Sequence, residues 1–587
     1  VRRALRRALR SALLYARTLR RLRWEQVAYR PLRRVQRWLP VRPRPAGAPD
    51  EGRMEAMAAA LAAWGPGDAA GRLARAEEVA AGRFTFVGHT EALAEPEWTR
   101  RRVSHLWSYH LHYFAYGVDL AWAWRLTGEA RFARRFQELA GGWMAACPPG
   151  KSDGWEPYPV SVRVLAWAQA LLLFGDALDA PFRAALLESL HAQAALLEKR
   201  LELHVLANHL QKNLVALVTA GLLFRGEAAA RWRTRGAARL WRELGEQVLD
   251  DGGHYERSPM YHLAAAGDFL ETLGVLEAAG EHVPGEARAR VARMVEAMGA
   301  LCRPDGGLHL FNDAARGEAP PAAHLAALGE RLLGARPLEA RGAFALPETG
   351  YFGWADPDVG ERFIIDCGPP GPEYQPGHAH CDMLSFELDL AGAPLVVDAG
   401  VSGYEGDVLR EYVRSTRAHN TVAIGGREQS EVWGTFRVAR RAEVAGTPRH
   451  EAAADGRYRF EGACRPYHDR HAAHRRSVER TEEGWRVTDR VEGARGERLV
   501  SWLHLHPDWT VAADAGGVTA TRGEAAVRIE PFGVDAVRLA SGEREPAQGW
   551  HCPCFGVALP APAVEMVVHA NDGRAFGCAI RLLNGRG

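Results

Sequence analysis

The sequence predicts an α+β protein of two large units, an N-terminal (α/α) toroid of helical hairpins followed by a C-terminal antiparallel β-sandwich domain. Three observations lead there. From about Glu55 to about Leu333 apolar residues recur at helical three- and four-residue steps. After Glu348 the texture changes to short alternating or β-branched runs divided by Gly, Asp and Pro turns. No fixed-length solenoid repeat is present, so the helices pair as hairpins around a ring. The 587 residues, 47% hydrophobic and 25% charged, suit such a body and exclude a disordered or collagen-like chain.

In chain order, residues 1–49 form an arm and linker, 50–345 the helical unit and 346–587 the β unit. Residues 1–44 carry fifteen Arg against Glu25 alone, a charge of +14 that leaves −12 on the rest of a chain whose net charge is +2. The acidic body is a poor nucleic-acid binder. Val1 to Leu39 interleaves Arg with Leu, Tyr and Trp at helical spacing, a basic amphipathic pattern suited to partner docking or to membrane-surface attachment. It lacks the apolar core of a signal peptide. A periplasmic or membrane-associated setting is the expectation, with a cytoplasmic one left open. The Pro-rich stretch Val41 to Pro49 separates arm from body.

Helices are expected over Tyr109–Leu126, Ala130–Ala146, Val160–Leu178, Pro181–Leu203, Asn208–Phe224, Ala228–Leu249, Pro259–Leu276 and Glu286–Leu301. Strands are expected at Arg362–Asp366, Leu384–Leu390, Leu395–Asp398, Thr421–Ile424, Phe436–Val444, Trp485–Val491, Leu499–Leu505, Ala526–Ile529 and Val564–Val568. No run of 18 apolar residues spans a membrane, and the eight cysteines are too few for a disulfide scaffold. A cleft between the two units is the natural place for a site.

Five segments carry chemistry. In Asp250–His262 (DDGGHYERSPMYH), Ser258 before Pro259 signals a helix start, with Tyr261 in the first turn. The helix dipole and Arg257 would then make that phenol more acidic than usual. His254 and Arg257 are expected at the cleft rim, because a polar run leading into an apolar helix is costly to bury. In LANHLQKN the plain structural reading is that Asn208 caps the next helix and His209 follows it. In PGHAHCD, His378, His380 and Asp382 would share one face of an extended chain, a metal or proton-transfer pattern. Asp398 ends an apolar strand and His419 precedes another, with Asn420, Arg414 and Arg417 alongside. His380, Asp398 and His419 together make an N,N,O set with an open position, as zinc would use.

Seven ordered blocks, PYPVSVRVLAWAQAL, ANHLQKNLVALVTAGLLF, DDGGHYERSPMYH, PDGGLHLFND, GHAHCDMLSFEL, VVDAGVSGYEG and RSTRAHNTVAIGGREQSEVW, resemble the heparinase II/III family of polysaccharide lyases from about Arg83 onward. The resemblance implies a toroid followed by a sandwich, in agreement with the periodicity. It implies an eliminase of uronate polymers, in which Asn208, with His209 beside it, neutralises the uronate carboxylate while Tyr261 and His378 move protons. It implies a divalent metal, zinc before calcium, on His380, Asp398 and His419. Tyr404 and Arg414 would be further cleft residues. The implied partner is an acidic polysaccharide, and no nucleotide or organic cofactor is signalled. The rivals are a toroid glycoside hydrolase, for which Glu256 and Asp305 are the candidate acids, and a non-catalytic polysaccharide-binding or assembly protein.

Overall fold

The computed structural model describes residues 2–36, 46–100 and 103–583. The Pro-rich separator expected over Val41–Pro49 lies outside the described residues up to position 45, as do 37–39 of the expected arm.

The arm is two helices, α1 (Arg2–Leu19) and α2 (Trp24–Gln36). It is docked on both units. Arg17 pairs with Glu431 at 2.8 Å and the Tyr15 ring packs 4.8 Å from Trp433 on the β side. Arg33 pairs with Glu156 at 2.9 Å on the helical side. Leu9, Leu13, Trp24, Val27 and Val35 stay exposed.

The helical unit continues with α3 (Glu51–Trp64), α4 (Ala69–Ala80), a strand hairpin over 83–92, α5 (His105–Tyr113) and α6 (Ala115–Thr127). The single helix expected over Tyr109–Leu126 is broken between α5 and α6 at Phe114, which takes a left-handed φ of 59°. Its ring is wholly buried, stacked 5.3 Å from Trp98 and edge-on to Trp167. Burying an aromatic outweighs roughly 1–2 kcal/mol of backbone strain.

Then come α7 (Ala130–Ala146), α8 (Pro157–Phe174), α9 (Ala180–Lys199), α10 (Ala207–Leu223), α11 (Glu227–Gln247), α12 (Pro259–Ala278), α13 (Gly285–Leu301) and α14 (Ala322–Leu333). Helices α6, α8, α10 and α12 touch in succession and form the inner wall. Of these, α8, α10 and α12 are buried almost all round. Each inner helix is followed by an outer one that returns the chain, and the first-turn rings of Tyr158 in α8 and His209 in α10 lie 4.5 Å apart, so the N-termini of the inner helices gather at one rim. Contrary to expectation, the stretch Pro157–Ala177 is long and apolar enough to cross a membrane, but 67% of its most apolar part is buried in this wall.

The β unit opens with a five-stranded antiparallel sheet in sequence order, Gly342–Leu346, Tyr351–Asp356, Glu361–Asp366, Phe386–Leu390 and Ala393–Val396. Its Phe352, Trp354, Phe363 and Ile365 pack against Tyr458, Phe460, Trp485 and Ile580 of a nine-stranded sheet, which makes the sandwich. The expected strand Phe436–Val444 survives only as the pairs Arg437–Val438 and Glu443–Val444. The first of these folds back on Val432–Trp433.

Polar staples fix the two units together. Asp251 accepts from the Glu348 and Thr349 amides, each at 2.8 Å. Gly253 must be glycine, since a Cβ there would fall 1.8 Å from the Thr349 Oγ1. Arg303 bridges to Glu387 and Asp389 in the first sheet.

Candidate active site

The rim where the inner helices begin carries Asn208, His209 and Tyr261, and His378 and Tyr404 of the β unit reach Tyr261 there. Asn208 and His209 lie in the first turn of α10, behind Leu206 and Ala207, whose φ values are 66° and 52°. Two adjacent left-handed residues without glycine are strain of the kind found at functional sites. The N-cap position belongs to Leu206, so Asn208 does not cap its helix. Its half-buried amide has no hydrogen-bond partner among the described residues. His209 Nδ1 lies 3.1 Å from Glu202 Oε1, and its ring packs 4.5 Å from Tyr158 at the start of α8. Burial opposes its charge, but the Glu202 carboxylate outweighs burial and raises the imidazole pKa.

Tyr261 sits where the Ser258–Pro259 signal puts it. Ser258 Oγ accepts from the Tyr261 amide at 3.3 Å and donates to the Asp313 carbonyl at 2.7 Å. The phenol hydroxyl is 2.9 Å from that of Tyr404, and the ring stacks on His378 with centroids 3.8 Å apart. The expectation of a more acidic phenol is overturned: burial, with the Tyr404 and Asp313 oxygens nearby, holds the pKa well above its usual value. Arg257 cannot help. Its guanidinium donates to the carbonyls of Thr349 (2.8 Å), Tyr255 (2.9 Å) and Glu348 (3.2 Å) as a brace between the units. His254 is buried with Nε2 3.3 Å from Gln247. Neither residue is at the rim. Arg414 is likewise buried, donating to the carbonyls of Ala379 and Gly434 and so bracing the histidine loop. Tyr404 is in the site.

His378, His380 and Asp382 do not share the face of a strand. They lie on an irregular loop that ends at Leu384 (φ 65°), before the strand Phe386–Leu390. The loop is organised by a residue that sequence reasoning gave no role, Asp313. Fully buried, it accepts from His378 Nδ1 at 2.9 Å and His380 Nε2 at 2.8 Å, and from both terminal nitrogens of Arg410. Burial works against its charge, yet Arg410 and the two imidazoles hold the carboxyl well below its usual range. The only signals were its place in the PDGGLHLFND block and, for Arg410, its position one helical turn before Arg414 in α15 (Val408–Val413).

His380, Asp382 and His419 bring ligand atoms within 4.8 Å of one another. His380 Nδ1 and His419 Nε2 are buried without a partner. Burial lowers His380 to about 3, so it is neutral, and its Nε2–H bond to Asp313 leaves the Nδ1 lone pair free. Asp398 stands behind the cluster, accepting from His419 Nδ1 at 2.9 and 3.0 Å and from Ser385 Oγ at 3.0 Å. Burial is offset by this carboxylate, and His419 rises to about 9. The expected His380–Asp398–His419 set thus shares two members with the cluster, and Asp398 touches it through His419.

Two family descriptions match this chain, "Heparinase II/III N-terminus" over residues 80–324 and "Heparinase II/III-like, C-terminal" over residues 339–582. The chain belongs to the heparinase II/III family. A heparin-sulfate lyase of Pedobacter heparinus is 28% identical over 355 residues, 54% of this chain and 51% of that protein. A heparin-sulfate lyase of Bacteroides stercoris is 24% identical over 378 residues, 55% of this chain and 54% of that one. The chain therefore spans about half the length of these curated relatives. A crystal structure of heparinase III superposes with a TM-score of 0.71 at 18% identity, covering 88% of this chain and 85% of that one. The heparan sulfate lyase structure from Pedobacter heparinus gives 0.57 at 22% identity, covering 89% and 84%. These confirm the toroid-and-sandwich fold expected of a heparinase II/III protein. The docked arm lies outside both matched stretches.

Proposed function

We propose that this heparinase II/III protein cleaves a uronic-acid-containing acidic polysaccharide by β-elimination. The observation that carries the reading is the Tyr261–His378 stack, in which a phenol kept protonated lies against an imidazole fixed by a buried carboxylate. The proton α to a carboxylate is too weakly acidic to leave until the carboxylate is screened. Asn208, uncommitted at the positive end of α10, would donate to it and to the enediolate that develops. With His378 Nδ1–H held by Asp313, Nε2 is the base that takes the C5 proton. The C4–O4 bond breaks, a C4=C5 double bond forms, and the Tyr261 hydroxyl protonates the departing O4. The heparin-sulfate lyase names of the relatives support a glycosaminoglycan as the first polymer to try.

The hydrolase alternative loses its acids. Asp305 is exposed in a turn, bonded to the Gly307 amide at 2.8 Å, while Glu256 is buried with neither oxygen hydrogen-bonded. A screen of heparan sulfate, chondroitin sulfate, hyaluronan and alginate should yield ultraviolet-absorbing fragments from one polymer. Fragments with new reducing ends and no chromophore would refute elimination.

A borderline cation fits the His380, Asp382 and His419 cluster with Asp398 behind it. The two orphaned imidazole nitrogens favour zinc over calcium, which prefers an all-oxygen shell. When bound, such an ion would supply fixed positive charge and pin the loop that bears His378. Protein purified without chelator should contain about one equivalent of metal. His380→Ala and His419→Ala should each lose it, and unchanged metal content in both would reject the assignment.

A further inference from the structure

A surface helix ordinarily turns its apolar stripe to the core and its charges to water. The arm does the reverse. On α1, Leu9, Leu13, Ala16 and Leu19 recur at three- and four-residue steps, and all four are exposed. On α2, Trp24, Val27, Pro31 and Val35 do the same, and Trp24 keeps 72% of its surface open. Half of the large apolar side chains exposed among the described residues fall between positions 9 and 35. Such a concentration marks an interaction surface rather than the scatter found on any protein.

Polar groups on the other side of the same helices hold the arm to the body. Gln26, fully buried, donates through Nε2 to the carbonyls of Val205 (3.2 Å) and Tyr374 (3.3 Å). Arg17 and Arg33 pair with Glu431 and Glu156, and Thr18 accepts from Trp433 Nε1 at 3.2 Å. These contacts fix which side of each helix looks outward.

Charge decides what covers that outward side. Residues 1–44 carry +14 and the rest of the chain −12. Arg10, Arg20 and Arg34 are exposed, and among the described residues they have no acidic partner. A second copy seated on this face would bring another +14 against the first, which like-charge repulsion opposes. An acidic polysaccharide would pair the cations but has no acyl chains to cover Leu13, Trp24 and Val35. An anionic lipid surface answers both. Its acyl chains take the apolar stripe and its phosphates the guanidinia, while the acidic body is turned away.

We propose that the outward side of the arm seats the protein on an anionic lipid bilayer surface. Val205 lies three residues before Asn208, and Tyr374 four before His378. Gln26 holds both from the opposite side of α2, so the seating puts the cleft mouth about one helix diameter, 10–12 Å, from the headgroups. The inference stands apart from the lyase reading, and its test needs no substrate.

The test is co-sedimentation of the full chain with vesicles of phosphatidylcholine alone or with about one-third phosphatidylglycerol. The parent should bind the anionic vesicles at least about tenfold more tightly, and added salt should weaken that binding. Leu13→Ser, Trp24→Ser and Val35→Ser together should lower the affinity about a hundredfold, and Arg20→Gln with Arg34→Gln about tenfold. All five side chains are exposed, so both variants should melt with the parent. Leu338→Ser, at a comparably exposed apolar position on the body, should bind like the parent. Equal binding to the two kinds of vesicle, or equal binding by the parent and the triple Ser variant, would overturn the proposal. So would a parent that ignores vesicles and sediments as a dimer while the triple Ser variant is a monomer, which would assign the face to a second copy.

Discussion

Tyr261→Phe is expected to lower the rate of unsaturated-product formation by about 10²–10⁴-fold, with little change in polysaccharide binding. The substitution removes one oxygen. The ring keeps its stack on His378, and the Ser258 Oγ cap of α12 holds the Tyr261 backbone amide rather than its phenol, so the local fold has no reason to move. The structural loss is the hydrogen bond to Tyr404, worth about 1 kcal/mol, a few degrees of melting temperature at most for so large a chain. What disappears is the proton for the departing O4. Tyr404→Phe removes the same hydrogen bond but leaves the Tyr261 hydroxyl, so it should cost far less activity. Because burial holds the Tyr261 pKa well above its usual value, the parent enzyme should show no alkaline loss from this group below about pH 10. Initial ultraviolet rates beside oligosaccharide binding decide the matter. Comparable rates for Tyr261→Phe and parent would remove the phenol from the mechanism.

What could be read from the chain was what short-range physics encodes. The helical period marked seven of the helices within a few residues, and Ser258–Pro259 located the turn that presents Tyr261. Residue types were legible too, for histidines and acids crowded into PGHAHCD seldom serve a core. What depends on distant partners was not. His378 meets Asp313 across 65 positions and Arg410 meets it across 97, so no local pattern could show that one carboxylate organises the loop. The phenol was expected to be acidic from its helix end and a nearby arginine, but burial dominates and the arginine points to three carbonyls. Asn208 looked like a cap because sequence cannot show that Leu206 and Ala207 adopt left-handed backbone and take the helix start from it. The arm's charge was plain, yet its acidic partners, Glu431, Glu246 and Glu156, are scattered through both units.

The second large effect is expected at Asp313, where the loss should appear in stability and chemistry together. Asp313→Asn keeps size and shape but removes the charge that two imidazoles and Arg410 share. Arg410 would be left as a buried cation without its counter-ion, a loss of about 3–5 kcal/mol. His378 would lose the acceptor that fixes its tautomer, and with it the orientation of Nε2 towards the substrate, so kcat should fall by about a hundredfold or more. The pH dependence gives an independent check. The folded carboxyl titrates well below its unfolded value of about 4, so its stabilisation is fully present above that pH and is lost as pH falls towards the folded value. The stability gap between parent and Asp313→Asn should therefore be constant from about pH 5 upward and narrow below about pH 4. Arg410→Met in the Asp313→Asn background should recover part of the stability, by removing the stranded cation, but none of the activity, because His378 remains unheld. If Asp313→Asn melted with the parent and turned over polymer at a similar rate, the carboxylate would be a bystander and the imidazole would need another anchor.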